Sequence, residues 1–235
     1  MELQLKKKPM NVRIIEGFPG FGLVGTIATE YLLNHLETEK IGKISNEEGP
    51  AMVAIHDSDV VEPLGIFYNK KYNLVILHAI TAVAGLEWKL AEQLNKLAKI
   101  LKAKEIISIE GVGSKESAAD SRVFNYSSIA ASRKKLVQIG TQPLKEGIIL
   151  GVTGALLLKA EAPLTCIFAE TFSELPDSSA AARSLEVLDK YLGLKVNVKP
   201  LVKQAEEFEQ KLKGILMHSK EAQDMADKKK MSYVG

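Results

Sequence analysis

Cysteine is almost absent from this 235-residue chain. The one copy, Cys166, lies in the apolar run Leu164-Thr165-Cys166-Ile167-Phe168. A single thiol cannot close an internal disulfide, so an intracellular chain is expected, with Cys166 a buried structural residue rather than a nucleophile. An excess of one charge is also lacking: the net charge is +2 with 26% charged residues, which argues against electrostatically driven binding to nucleic acid or membrane. No apolar run reaches the roughly 18 to 20 residues that a membrane span needs, and no apolar segment follows the basic Lys6-Lys7-Lys8. A soluble cytoplasmic protein is therefore expected. G-x-S-x-G, Walker A, C-x-x-C and H-E-x-x-H motifs are all missing. The four histidines, His35, His56, His78 and His218, have no metal-ligand spacing, so neither a metal nor a cofactor is expected. His78 reads as a core histidine. His56-Asp57 is the only pair placed as a base and its orienter, and it reads more simply as a polar pair flanking a loop.

Hydrophobic residues make up 46% of the chain, enough for one sizeable core. The stretch Val12 to Leu33 organises the rest. A β-prone run at Val12-Arg13-Ile14-Ile15 feeds glycines at 17, 20, 22 and 25, and a helix with Leu23, Ile27 and Tyr31 on one face follows. Further strands are expected at residues 2–6, 40–44, 51–56, 65–68, 72–80, 105–110, 122–126 and 163–169. Helices are expected at 86–102, 129–137, 151–158 and 178–192. Strands alternating with helices predict an α/β fold with a mostly parallel sheet and right-handed crossovers. Beyond it, Leu201, Ala205, Phe208, Leu212, Ile215, Ser219, Ala222 and Ala226 keep a 4,3 spacing, which is the seam of a heptad helix. The expected organisation is an α/β domain over 1–198, a heptad-like helix over 199–227 and a mobile tail over 228–235.

Two patterns bear on chemistry. Gly20-Phe21-Gly22-Leu23-Val24-Gly25 fits G-x-G-x-x-G, and Glu47 and Glu48 stand where an acidic ribose ligand would follow. Against a dinucleotide site, Pro19 precedes the turn and Phe18 and Phe21 put outward aromatic groups on it. Arg13, the nearest arginine, lies inside a strand. The glycines have a plain alternative reading, positive φ at Gly17, Gly20 and Gly22 and close packing at Gly25. Separately, Glu16, Glu110 and Glu170 each end a predicted core strand, where α/β sheets gather their ligand sites. Asp120 and Asp177 are further acidic candidates, with nothing in their spacing to show that they meet.

Three segments together resemble the proteasome assembly chaperone 2 family. They are Gly17-Phe18-Pro19-Gly20-Phe21-Gly22-Leu23-Val24-Gly25, then Gly151-Val152-Thr153-Gly154-Ala155-Leu156-Leu157, then Glu170 through Pro176-Asp177 to Ala180-Ala181-Ala182. The resemblance implies a fold similar to that of purine nucleoside phosphorylases. It implies a non-enzymatic, homo-oligomeric chaperone of the archaeal branch, whose partners are proteasome α subunits. It further implies binding through a tail that ends hydrophobic-Tyr-any residue. Here the end is Met231-Ser232-Tyr233-Val234-Gly235. Tyr233 is third from last, and that offset moves the carboxylate by up to roughly 3.5 Å in an extended chain. Met231, Tyr233, Val234 and Gly235 are the expected partner-binding residues, and a disordered tail with an incidental tyrosine is the alternative. A nucleotide- or nucleoside-binding enzyme and a scaffold for another protein remain the competing functions.

Overall fold

The computed structural model describes residues 1–46, 54–56, 59–80, 85–113, 122–172 and 175–203. In order, the elements are β1 (Glu2–Leu5), β2 (Arg13–Gly17), α1 (Val24–His35), β3 (Glu39–Ser45), β4 (Ala54–His56), β5 (Asp59–Val61), β6 (Leu64–Asn69) and β7 (Leu74–Ala79). They continue with α2 (Glu87–Ile100), β8 (Glu105–Gly113), β9 (Val123–Ser127), α3 (Ala130–Gln138), β10 (Gln142–Pro143), α4 (Gly151–Lys159), β11 (Leu164–Thr171) and α5 (Ser178–Leu192). The expected α/β architecture is present: helices cover both faces of one nine-stranded sheet, ordered β1-β3-β6-β7-β2-β8-β11-β9-β10.

The sheet is parallel at its centre and mixed outside it. β7, β2, β8 and β11 run parallel, whereas β1, β3 and β6 pair antiparallel and β9 runs antiparallel to β11. For β6 and β7 the reason is connection length. A parallel neighbour needs a crossover of a dozen or more residues, usually a helix. The turn after β6 is instead the short Asn69-to-Asn73 segment, where Asn69 Oδ1 accepts from the Tyr72 amide at 2.9 Å and Asn73 adopts a φ of 52°. A turn so tight can only make a hairpin. β4 and β5 form a separate two-stranded hairpin.

The central strands are buried from both sides, and every residue of β7 and β11 is buried. On one face, Ile14, Leu77, Ile106 and Phe168 meet α2 and α4; on the other, Ile15, Ile76, Ile107 and Ile167 meet α1 and α5. The periodic leucines of α2, Leu90, Leu94 and Leu97, are fully buried on the first face, as the 3,4 spacing predicts. Each such side chain contributes about 1.5–3 kcal/mol. α5 begins at a true cap: Asp177 Oδ1 accepts the Ala180 amide at 2.7 Å. It ends at Gly193, whose φ of 70° suits the left-handed residue that closes a helix. Replacing Asp177 by Ala is expected to cost about 1 kcal/mol, read as a lower urea midpoint with an unchanged slope.

Residues 199–203 continue as helix. The remainder of the heptad segment, the tail with Met231, Tyr233, Val234 and Gly235, Glu47, Glu48, Asp57, Asp120 and His218 lie outside the described residues. Among the described residues no helix is long and apolar enough to cross a membrane.

Candidate functional site

The chain leaves β2 toward β7 on one side and leaves β8 toward β11 on the other. The crevice at the carboxyl ends of β2 and β8 is thus where the connections reverse direction, the usual place for a site in an open α/β sheet. A cavity of about 470 Å³ opens there, between the 18–23 loop, the end of β8 and the start of α4. Its walls include Phe18, Phe21, Val112, Ile149 and Val152, with Glu110 and Glu87 its ionisable residues.

The glycine loop is filled by protein rather than left open. A Cβ on Gly20 would lie 2.1 Å from Glu110 Oε1; one on Gly22 would lie 2.8 Å from Thr171 Oγ1; one on Gly25 would lie 2.4 Å from the Ile109 carbonyl. Gly17 and Gly25 touch backbone to backbone. Only Gly22 among these has a positive φ, 62°, so the expectation of positive φ at Gly17 and Gly20 is corrected: close approach is what those two supply. Two amides at the end of the loop are spent internally, Leu23 N–H on the Gly20 carbonyl at 3.0 Å and Val24 N–H on the Phe21 carbonyl. Asp177 N–H reaches the Gly22 carbonyl at 2.8 Å and ties the loop to the α5 cap. Phe21 is exposed as expected, but Phe18 is buried in the core, so only one aromatic points outward. Pro19 lines the cavity, and Pro176 sits half-buried directly before the α5 cap.

The three strand-end glutamates diverge in role. Glu170 is held by Arg122, at 2.9 and 3.2 Å from the guanidinium and 3.2 Å from the backbone amide. Glu16 and Glu110 belong instead to one buried polar column under α4. Glu16 is 0% exposed, and neither of its oxygens meets a donor in hydrogen-bonding geometry. Its register neighbour Ser108 is bonded to Thr153 at 2.8 Å. Burial pushes the Glu16 pKa up to about 8; the nearby Ser108 hydroxyl opposes this, and the Glu110 charge adds to it. Glu110, 9% exposed, accepts from the Thr153 hydroxyl at 3.1 Å. Burial raises its pKa to about 7 against the pull of that hydroxyl and of the Gly111 amide.

Gly151 opens α4 with a φ of 70°, and Gly154 lets the helix pass the Ile149 carbonyl, which a Cβ would meet at 2.7 Å. Cys166 is fully buried and its thiol pKa is raised by burial first and by the charges of Glu16 and Glu110 after it, which fits a structural thiol. His78 bonds Thr29 at 2.9 Å, and burial lowers its pKa to about 4, a neutral core histidine. Arg13 pairs with Glu105 at 3.4 Å, at the opposite end of the strands from the loop. Among the described residues no three His, Cys, Asp or Glu side chains converge as metal ligands.

The sequence matches the PAC2 family over residues 14–216. The chain belongs to the PAC2 family. The fold agrees: PbaA of Pyrococcus furiosus, an archaeal homologue of proteasome-assembly chaperone, superposes with a TM-score of 0.83 at 31% identity, covering 97% of each chain. PbaB of the same organism, an archaeal proteasome activator, gives 0.78 at 23% identity over 91% of this chain and 98% of its own, a likeness of fold. A Methanocaldococcus jannaschii protein, MJ0106, is 28% identical over 208 residues, 87% of this chain and 85% of its own. The PAC2 match includes all three glycine- and proline-marked segments, Gly17–Gly25, Gly151–Leu157 and 170–182. In the structure these segments converge: the first and second flank the cavity, and the third caps α5 beneath the first.

One part of the site escaped the sequence reading. Ile148-Ile149-Leu150 forms a cavity wall and its outer rim, yet no element was assigned there. Three consecutive apolar residues between Gly147 and Gly151, in a stretch too short for a strand, were the available signal.

Proposed function

We propose that this chain is a non-enzymatic chaperone or adaptor that binds proteasome α subunits and assists proteasome assembly, partly through residues 231–235. The observation that carries this reading is the likeness to PbaA, which runs through 97% of both chains at 31% identity. The surface supports a protein partner: Ile148 is 88% exposed, Leu158 77% and Leu150 68%, a run of apolar residues along α4 and the loop before it. A second copy of the chain is the proposed cover for part of that surface. A homo-oligomer would present several tails, and linked weak contacts commonly gain 10² to 10⁴ in affinity. Tyr233 would supply the apolar anchor, with Met231 and Val234 beside it and the carboxylate of Gly235 facing a cationic group.

The competing nucleotide reading loses its physical basis. The Leu23 and Val24 amides are bonded within the turn, and no Lys or Arg stands among the described residues lining the cavity. A phosphate there would face two glutamates.

Light scattering coupled to size exclusion, on the protein alone and then with proteasome α subunits, tests the proposal. A discrete oligomer that forms a larger complex is expected. Removing residues 231–235 is expected to leave the melting temperature unchanged and to weaken α-subunit binding at least tenfold. Unaltered affinity would sink the tail mechanism, and an oligomer that ignores competent α subunits would sink the proposal itself.

A further inference from the structure

The cavity at the ends of β2 and β8 has a composition that selects its ligand. Its walls are apolar, and both of its ionisable lining residues among those described are acidic. Glu110 is held on one side only by side chains: the Thr153 hydroxyl donates to Oε2, while Oε1 lies against Gly20 at the cavity wall. The uncapped start of α4, at Leu150, is already matched by this carboxylate, since Thr153 belongs to the helix's first turn. No Lys or Arg stands among the described residues lining the cavity, and a carboxylate in apolar surroundings without a counter-charge is costly unless it is protonated. A cation entering the cavity would provide the missing partner.

We propose that this cavity binds an organic ammonium ion with an apolar body, its charged head on the Glu110 carboxylate and its body against Phe18, Phe21, Ile149 and Val152. Anions are disfavoured by Glu110 and Glu87 together, and neutral apolar molecules bring no counter-charge to the Glu110 carboxylate. The volume, about 470 Å³, falls within the range of small-molecule pockets. The site is separate from the tail and does not depend on the proteasome reading.

Binding should be linked to protons. An alkyl ammonium stays charged through neutral pH, whereas Glu110 titrates near 7. The groups packed around it are Glu16 on β2, Cys166 on β11, Glu87 on α2 and the Thr153 hydroxyl on α4. Glu16 titrates near 8 and Glu110 near 7, so the first of the two to ionise is Glu110. Its ionised fraction rises from about one-tenth at pH 6 to about nine-tenths at pH 8, and affinity for the amine should rise about tenfold with it.

Calorimetry on the full chain tests this with 2-phenylethylamine, using 3-phenylpropanoate and 2-phenylethanol as the anionic and neutral analogues. Saturable binding of the amine, at least tenfold tighter than either analogue and tenfold tighter at pH 8 than at pH 6, is expected. Glu110→Gln keeps the Thr153 bond and should weaken the preference for the amine and flatten the rise in affinity between pH 6 and pH 8. Glu87→Gln, which removes the charge and keeps an oxygen for the Gly85 amide, should weaken amine binding. Binding of the propanoate as tight as the amine, amine binding that survives both substitutions, or no saturable binding by any of the three would overturn the proposal.

Discussion

Glu16→Gln is expected to stabilise the protein by roughly 3 kcal/mol at pH 7 and to leave it unchanged at pH 4. An ordinary glutamate loses its proton near 4.5, but buried Glu16 in the folded chain keeps it to about 8. Between those values the unfolded chain has released a proton that the folded chain still binds. Stability therefore falls as pH rises from 4.5, by about 1.4 kcal/mol per pH unit, and levels off above about 8. Glutamine has nearly the same shape and no proton to lose, so the fall is removed while the buried polar volume is retained. Glu110, raised to about 7, adds a second fall of the same sign between 4.5 and 7. His78, lowered to about 4, acts in the opposite direction, because its stability contribution is lost as pH drops from 6.5 toward 4. Both groups are present in both proteins, so the difference between them isolates Glu16. Urea titrations at pH 4, 5.5, 7 and 8 read that difference. No gain at pH 7 would mean that Glu16 is charged in the fold and held by a partner, and an equal gain at pH 4 would mean that the effect is not linked to its proton.

How far the sequence foretold this molecule depends on the range of the interaction involved. α5 was legible to the residue, Ser178–Leu192, because Asp177 caps it locally and Gly193 ends it locally. α2 was legible because its leucines repeat at 3,4 spacing over four turns. The buried strands β7, β8 and β11 announced themselves as apolar runs, but nothing in such a run states the direction of its neighbour. The antiparallel β6–β7 pair followed from its short connection rather than from the strands. Gly17 and Gly20 were identified as structural from their place after a strand, yet the reason assigned to them was wrong. Whether a glycine serves a positive φ or a close contact is decided by residues distant in sequence, here Glu110 and Gly25. The same holds for the strand-end glutamates. Their shared position was readable, whereas the Arg122 clamp on Glu170 and the Thr153 hydroxyl on Glu110 are tertiary facts.

Gly25→Ala is the second large effect, and it separates a glycine kept for packing from one kept for a ligand. Gly25 lies in the first turn of α1, a position where Ala would ordinarily gain up to about 1 kcal/mol through helix propensity. Here the new methyl group would stand 2.4 Å from the Ile109 carbonyl and 2.9 Å from the Gly17 Cα. Both neighbours are backbone, one in β8 and one ending β2, and both strands are paired on each side. Neither can yield as a side chain would, so α1 must lift from the sheet at the point where Val24 and Ala28 enter the core. Overpacking of this kind costs about 1–3 kcal/mol and occasionally more, which outweighs the propensity gain. A net loss of about 2 kcal/mol or more is expected in urea unfolding. Gly113→Ala is the matched control: among the described residues its Cβ would come nearest to the Phe21 ring, at 3.6 Å, an ordinary contact, and its effect should stay within about 0.5 kcal/mol. If the glycines instead served a phosphate, Gly25→Ala would fold normally and lose only ligand. An alanine variant as stable as the parent would refute the packing account, and with it the reading of the G-x-G-x-x-G match as a joint between β2, β8 and α1.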